Sequence, residues 1–309
     1  MHLLIPHASA LSPACAPALA ALSLPHLDAL LTHLAPTERD TGDEYTLSPP
    51  HERALARALA LPHADGLVPW AALQADRDGI AVGDGAWAQL SPVHWRVGRD
   101  HITLADPRAL ELDETDSRAA FEAVRDLFES IGYRMAWGAP LRWYAGHDSF
   151  ATLPSASIDR VIGRNVDLWL QARPEARPIR RLQNEVQMLL YTHPLNDARE
   201  ARGQLTLNSF WLSGCGRLSV PQGDAPTVDD TLRAAALADD WADWAEAWQA
   251  VDAGPLAALL TRALSGAPVA LTLCGERSAQ HYESAPRSLW QRVKGQFRPV
   301  SARAVLESL

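Results

Sequence analysis

Two short, unbroken apolar runs lie near opposite ends of the chain, and they constrain its fold more than any other feature. Residues 2–5 are closed by Pro6, and residues 269–274 are closed by Gly275. Apolar runs of this length, bounded by breakers, read as strands buried on both faces. Helical periodicity accompanies each. Leu27, Leu30, Leu31 and Leu34 recur at helical spacing after the first run, and a second helix is expected over 52–61. Before the last run, helices are expected over 229–251 and 256–264, parted by Gly254-Pro255. Strand and helix alternating at both ends imply one parallel-sheet α/β core assembled from the two ends of the chain.

The middle is patterned differently. The polar, turn-rich stretch 37–50 reads as a loop. From Ala86 the period becomes two, with Trp87, Gln89, Ser91, Val93, Trp95 and Val97 alternating with Ala88, Leu90, His94 and Arg96. That is the mark of a strand. Another strand is expected over 101–104, then a helix capped at Asp116 with Ala120, Phe121, Val124, Leu127, Phe128 and Ile131 on one face, stopped by Gly132. A hairpin over 133–137 and 141–144 turns at Gly138-Ala139-Pro140. Further on, a helix is expected over 182–191 and a strand over 205–212, closed by Ser213-Gly214-Cys215-Gly216. The chain's 309 residues suit two lobes. We expect an α/β core from 1–78 and 205–309, interrupted by an α+β insertion over 79–204.

Composition excludes several function classes. Apolar residues at 47 % and charged residues at 21 % are those of a globular chain. A net charge of −9 disfavours nucleic acid and anionic membrane as partners, because both attract a basic face. No apolar run approaches the ~18 residues a bilayer span requires. The N-terminal stretch lacks a basic segment and is broken by Pro13, Pro17 and Pro25, unlike a signal peptide. Cys15, Cys215 and Cys274 are widely spaced, with no CxxC pair, which suits a reducing compartment. A cytoplasmic location is the expectation.

The densest polar stretch is 180–217. Its candidate ligand-binding residues are Arg180, Arg181, Asn184, Gln187, His193, Asn196, Arg199, Asn208 and Ser213. On a helix, Asn184, Gln187 and Tyr191 fall in one stripe, and guanidinium forks match planar anions. A small anionic metabolite is the expected ligand. The structural alternative is that these groups cap helices and tie elements together. His193 offers an imidazole that works near neutral pH, although a histidine before proline is more often a cap. Ser213-Gly214-Cys215-Gly216 resembles a phosphate-cradling turn without the helix that should follow. Cys215 as a nucleophile needs a base and a depressed pKa, which spacing does not show. The tryptophans at 241, 244 and 248 have the spacing of a buried helical face.

The run 192–203, with its His193-Pro194, Asn196, Arg199 and Gly203, followed by Asn208, Gly214 and Gly216, resembles a stretch of the archaeal-type, cofactor-independent phosphoglycerate mutases. Residues 24–30 are similar to a helix of that family, and 249–252 followed by the strand at 269–273 resemble its late core. The helix 184–188 and strand 208–211 more closely resemble a proteobacterial group of RpfE-type regulatory proteins. The resemblance implies an alkaline-phosphatase-like core and, in the mutases, two divalent metals, a serine or threonine nucleophile and isomerase activity. It would also place Asp-Gly after the first strand and Asp-His after the late one. This sequence has Pro6-His7 and Cys274-Gly275 there. The expectation is therefore a bacterial, degenerate, mutase-like pseudoenzyme that binds a phosphorylated or carboxylated metabolite in a regulatory role, with no metal or other cofactor. Two alternatives remain. One is an active mutase with an altered site at His7, His193 or Cys215, which alone would require a divalent metal. The other is a protein-interaction module whose contact surface is the tryptophan helix or the basic C-terminal set Arg287, Arg292, Lys294, Arg298 and Arg303.

Overall fold

The computed structural model describes residues 1–170, 173–284 and 301–309. The chain divides into two units: Met1–Glu44, Pro49–Leu59 and Gly223–Leu309 form the first, and Tyr45–Ser48 and Ala60–Gln222 form the second. In the first unit the chain begins with β1 (His2–Ile5), α1 (Cys15–Ala21), α2 (Pro25–His33), β2 (Leu34–Thr41) and α3 (Pro50–Ala58). The second unit contributes α4 (Trp70–Arg77), β3 (Ala86–Val93), β4 (Trp95–Val97), β5 (Ile102–Leu104) and α5 (Glu114–Glu129). It continues with β6 (Arg134–Ala139), β7 (Arg142–Gly146), α6 (Arg177–Tyr191), α7 (Pro194–Ala201) and β8 (Ser209–Arg217). The chain then completes the first unit with β9 (Thr227–Val228), α8 (Arg233–Leu237), α9 (Trp241–Val251), α10 (Ala257–Leu264), β10 (Ala270–Cys274), β11 (Ser278–Ser284) and α11 (Ala302–Glu307).

The fold is mixed α/β, and the sheet of the first unit is mixed rather than parallel. Its order is β2-β11-β10-β1-β9, with β1 parallel to both β9 and β10. β10–β11 and β11–β2 are antiparallel. β2 occupies part of the stretch that polarity marked as a loop. Its polarity follows from its place at the sheet edge, where Pro36 is tolerated and Glu38, Arg39 and Asp40 discourage pairing with another chain.

The two faces of this sheet differ. Leu3, Ile5, Leu271, Leu273 and Tyr282 face a core filled from α1, α2, α9, α10 and α11. On the other face, Leu4, Cys274 and Ala279 pack against Ala54 of α3. Trp244 and Trp248 are fully buried in the larger core. Their indole N–H groups donate to the carbonyls of His7 (3.0 Å) and Ala8 (3.2 Å). The tryptophan helix is therefore core and not a contact surface. Instead of breaking the helix, Gly254-Pro255 lie in a π-helical turn over Asp252–Leu256. Buried Asp252 accepts the backbone N–H groups of His26 (3.2 Å) and Leu27 (2.8 Å), which caps α2 at the positive end of its dipole.

In the second unit, β6-β7-β3-β8 is antiparallel throughout, and β4–β5 is a separate hairpin. The alternation read from Ala86 onward is realised as far as Val93; beyond His94 the chain leaves the sheet, and 95–97 form β4 of the separate hairpin, with Arg96 and Val97 both exposed. Ala86, Ala88 and Leu90 face α5 and α6, while Trp87 joins Tyr144 under α4. α5 is capped by Asp113, one turn earlier than expected. The unit runs from Ala60 to Gln222 rather than 79 to 204, because β8 pairs with β3 and α4 packs on the same sheet. Among the described residues no single helix is long and apolar enough to cross a membrane. Of the basic C-terminal set, Arg303 pairs with Glu307 at 2.7 Å, and Arg287, Arg292, Lys294 and Arg298 lie outside the described residues.

Candidate functional site

α6 is amphipathic: Ile179, Leu182, Gln183, Val186 and Leu190 are buried. The opposite face carries Arg180, Arg181 and Asn184, all exposed, with Gln187 half-buried. Asn184, Gln187 and Tyr191 share a stripe as their spacing requires, but it is the outward one, with Tyr191 85 % exposed. Arg181 pairs with Glu185 one turn on, at 2.7 Å.

The remaining candidates hold α7 and the segment entering β8. His193 caps α7 by accepting the N–H of Leu195 at 3.2 Å. Asn196 donates to the carbonyls of Leu190 (2.8 Å) and Leu207 (2.7 Å) and accepts the N–H of Leu207 (2.8 Å). Asn208 exchanges two hydrogen bonds with the backbone of Trp95, at 2.7 and 2.9 Å. Arg199 is fully buried, with its guanidinium on Asp116 (2.8 Å) and the carbonyls of Leu205 (2.9 Å) and Leu110. The geometry thus spreads the polar stretch over several local ties instead of gathering it around one anion.

Ser213-Gly214-Cys215-Gly216 continues β8 and is not a turn. Gly214 has φ +66°, and a Cβ there would lie 3.0 Å from the Ala71 nitrogen, so glycine lets α4 approach the strand. Ser213 is buried in the β3–β8 ladder opposite Gln89. Cys215 is completely enclosed, and burial pushes its thiol up to about 12. It stays a thiol at neutral pH, the inert state for a nucleophile.

Three members of α6, Ile179, Arg180 and Gln183, line a cavity. Arg180 and Gln183, with Trp169, Trp211, Leu153 and Ile179 among the walls, bound a pocket of about 40 Å³ in the second unit. Trp211 donates its N–H to the Ala156 carbonyl at 2.9 Å, and Gln183 donates to that of Phe210 at 3.3 Å. Trp169 differs. Its ring is 5 % exposed, and its buried Nε1–H meets no acceptor among the described residues. A buried donor without an acceptor is costly, about 1–3 kcal/mol, unless a ligand or water supplies one. The Arg160 guanidinium lies 4.9 Å from the Trp169 ring centroid and holds the indole in place. Arg180, exposed at the rim, donates to the Leu170 carbonyl at 3.1 Å. Sequence reasoning found Arg180 and missed Trp169, which lies in an aperiodic stretch.

In the first unit, His7 has a left-handed backbone (φ +56°), and its ring centroid lies 5.0 Å from that of His51. Cys274, where the resemblance places an aspartate, is fully buried against Leu4, Ala54 and Ala279. Burial raises its thiol pKa. A hard divalent cation requires oxygen donors, so the Cys274 position does not suit the two-metal centre that the resemblance implies.

No protein-family model matches the chain, and no curated protein does. Among solved structures it is similar to the cofactor-independent phosphoglycerate mutase from Thermoplasma acidophilum DSM 1728, at 13 % identity over 100 % of this chain and 99 % of that one, with a TM-score of 0.39. It is also similar to the PH0037 protein from Pyrococcus horikoshii, at 12 % identity over 99 % and 95 % of the two chains, with a TM-score of 0.47. At these identities and superpositions the likeness assigns no chemistry to this chain.

Proposed function

We propose that the second unit binds a small carboxylate with a short apolar tail, in a regulatory rather than a catalytic role. One observation carries the reading: an apolar pocket is lined by Trp169, whose buried indole N–H has no acceptor among the described residues, and has a guanidinium at its rim. The tail enters between Trp169, Trp211 and Ile179, one carboxylate oxygen accepts the Trp169 N–H, and Arg180 neutralises the charge. A phosphate suits the pocket less well. It calls for several donors, whereas Gln183 and Trp211 already donate to backbone carbonyls. Cys215, four residues beyond Trp211, is buried as a thiol, which supports binding over nucleophilic chemistry at that residue.

Thermal melting of the whole chain with butyrate, inorganic phosphate and 3-phosphoglycerate tests this. Butyrate should raise Tm, and both Arg180→Ala and Trp169→Phe should weaken its binding about tenfold, the loss of one charge-assisted or buried hydrogen bond. A rise with phosphate or 3-phosphoglycerate but none with butyrate would overturn the ligand class. Interconversion of 2- and 3-phosphoglycerate would overturn the non-catalytic role.

A further inference from the structure

On the first unit's sheet, α3 covers only part of one face, and beside it lies a groove of about 450 Å³. A continuous hydrogen-bond chain forms part of its wall. Glu283 contacts His281 Nε2 at 3.1 Å, His281 Nδ1 contacts the Thr272 hydroxyl at 2.7 Å, and that hydroxyl contacts His2 Nε2 at 2.7 Å.

Proton counting fixes the direction of this relay. A carboxylate only accepts, so His281 Nε2 carries a proton, and in the neutral ring Nδ1 is then an acceptor. Thr272 therefore donates its single hydroxyl proton to His281 and accepts from His2 Nε2–H. His2, a neutral imidazole, is left with an unprotonated Nδ1. Burial, together with the neighbouring His281 and the N-terminal ammonium, pushes the His2 imidazole down to about 4 against the pull of Glu283. It remains neutral at ordinary pH.

The charges around the relay are mostly negative. Glu38, Asp40, Asp224 and Glu283 line the groove with one guanidinium, that of Arg57. Arg57 pairs with Glu38 (3.0 Å) and Asp40 (3.3 Å), and buried Arg53 also holds Asp40 (2.8 Å). Among the described residues Glu283, 57 % exposed, has no ion-pair partner besides the His281 ring.

We propose that this groove binds a small organic cation whose ammonium N–H groups donate to His2 Nδ1 and to the Glu283 carboxylate. The volume accommodates a short diamine or alkylammonium, and both residues line the groove. The other charges facing the relay are Glu38 and Asp40 of β2, Arg57 of α3, Asp224, Glu283 and the N-terminal ammonium.

Calorimetric titration of the whole chain at about pH 8 with 1,4-diaminobutane, n-butylammonium, butyrate and inorganic phosphate tests the proposal. Saturable binding of an amine, weakened about tenfold in the surface variant Glu283→Gln, is the expected result. Nitrogen-15 NMR of the wild-type histidines should show His2 as a neutral ring protonated at Nε2. The absence of saturable amine binding would overturn the proposal, as would a His2 ring protonated at Nδ1 at that pH. The NMR readout needs no variant and so does not depend on how a substitution folds.

Discussion

In the first unit, one face of a mixed sheet lies under α1, α2, α9, α10 and α11, while the other has the nine-residue α3 and an open polar groove. In the second unit, an antiparallel sheet is covered by α5 and α6 on one face and by α4 on the other. The polar residues follow this difference. In the second unit the buried Arg199 and Asn196, and with them Asn208, are tied to protein partners, while Arg180, Arg181 and Asn184 lie on the outward face of α6. In the first unit His2, Thr272 and His281 lie on a partly covered face, where they line the groove and hydrogen-bond one another. A high density of polar side chains in the sequence thus marks structural ties where a sheet is closed, and a sparse, dispersed set marks a recess where it is open.

Arg199 is where this comparison is easiest to break. Removing it leaves Asp116 without a buried partner and three hydrogen bonds unmade, so Arg199→Ala should cost about 3–5 kcal/mol in urea-induced unfolding. If unfolding is unchanged while carboxylate binding is lost, Arg199 belongs to a ligand site after all and the contrast between the two units fails.

The sequence revealed the β-β-α-β-β order of the second unit because the two-residue period at Ala86 and the face of α5 are local signals. It also revealed the buried tryptophan face and the inner strands β1 and β10. β2 was hidden because an edge strand has no need of apolar residues, and β11 because its alternation is broken by Gln280 and His281. The end of β8 was misread because Gly214 and Gly216 serve a close helix approach rather than a turn. Of the site, Arg180 was legible as a charge on a helix. The Trp169 donor and the His2–Thr272–His281 relay were not, since each depends on residues brought together only by folding.

A smaller effect comes from Asp78, which sits among Arg142 (2.8 and 2.9 Å), the Tyr144 hydroxyl (2.7 Å) and Gln74. Burial acts to raise its pKa, but the hydrogen bonds from Arg142, Tyr144 and Gln74 outweigh it, and the net shift is downward. The unfolded chain therefore binds this proton more readily than the folded one. The stabilisation is complete above the unfolded value of about 3.9 and is lost as pH falls through the folded pKa. Melting temperatures measured from about pH 5 downward should fall less steeply in Asp78→Asn than in the wild type. Equal slopes would show that this closed-face cluster contributes nothing through ionisation. Asp40, lowered by Arg53 and Arg57 against a burial cost, offers the matching measurement on the open-face unit.

The smallest expected effect separates two adjacent arginines. Arg180 lines the pocket, whereas Arg181 is exposed and pairs with the half-buried Glu185. An exposed pair one helical turn apart is screened by solvent and contributes little. Arg181→Ala should therefore leave both Tm and butyrate binding unchanged in the same melting assay in which Arg180→Ala weakens binding about tenfold and lowers the ligand-induced rise. If the two variants behave alike, the anion is held by the diffuse charge of α6 and not by the pocket. The Trp169 N–H would then need another explanation, because a diffuse field makes no demand on a single buried donor.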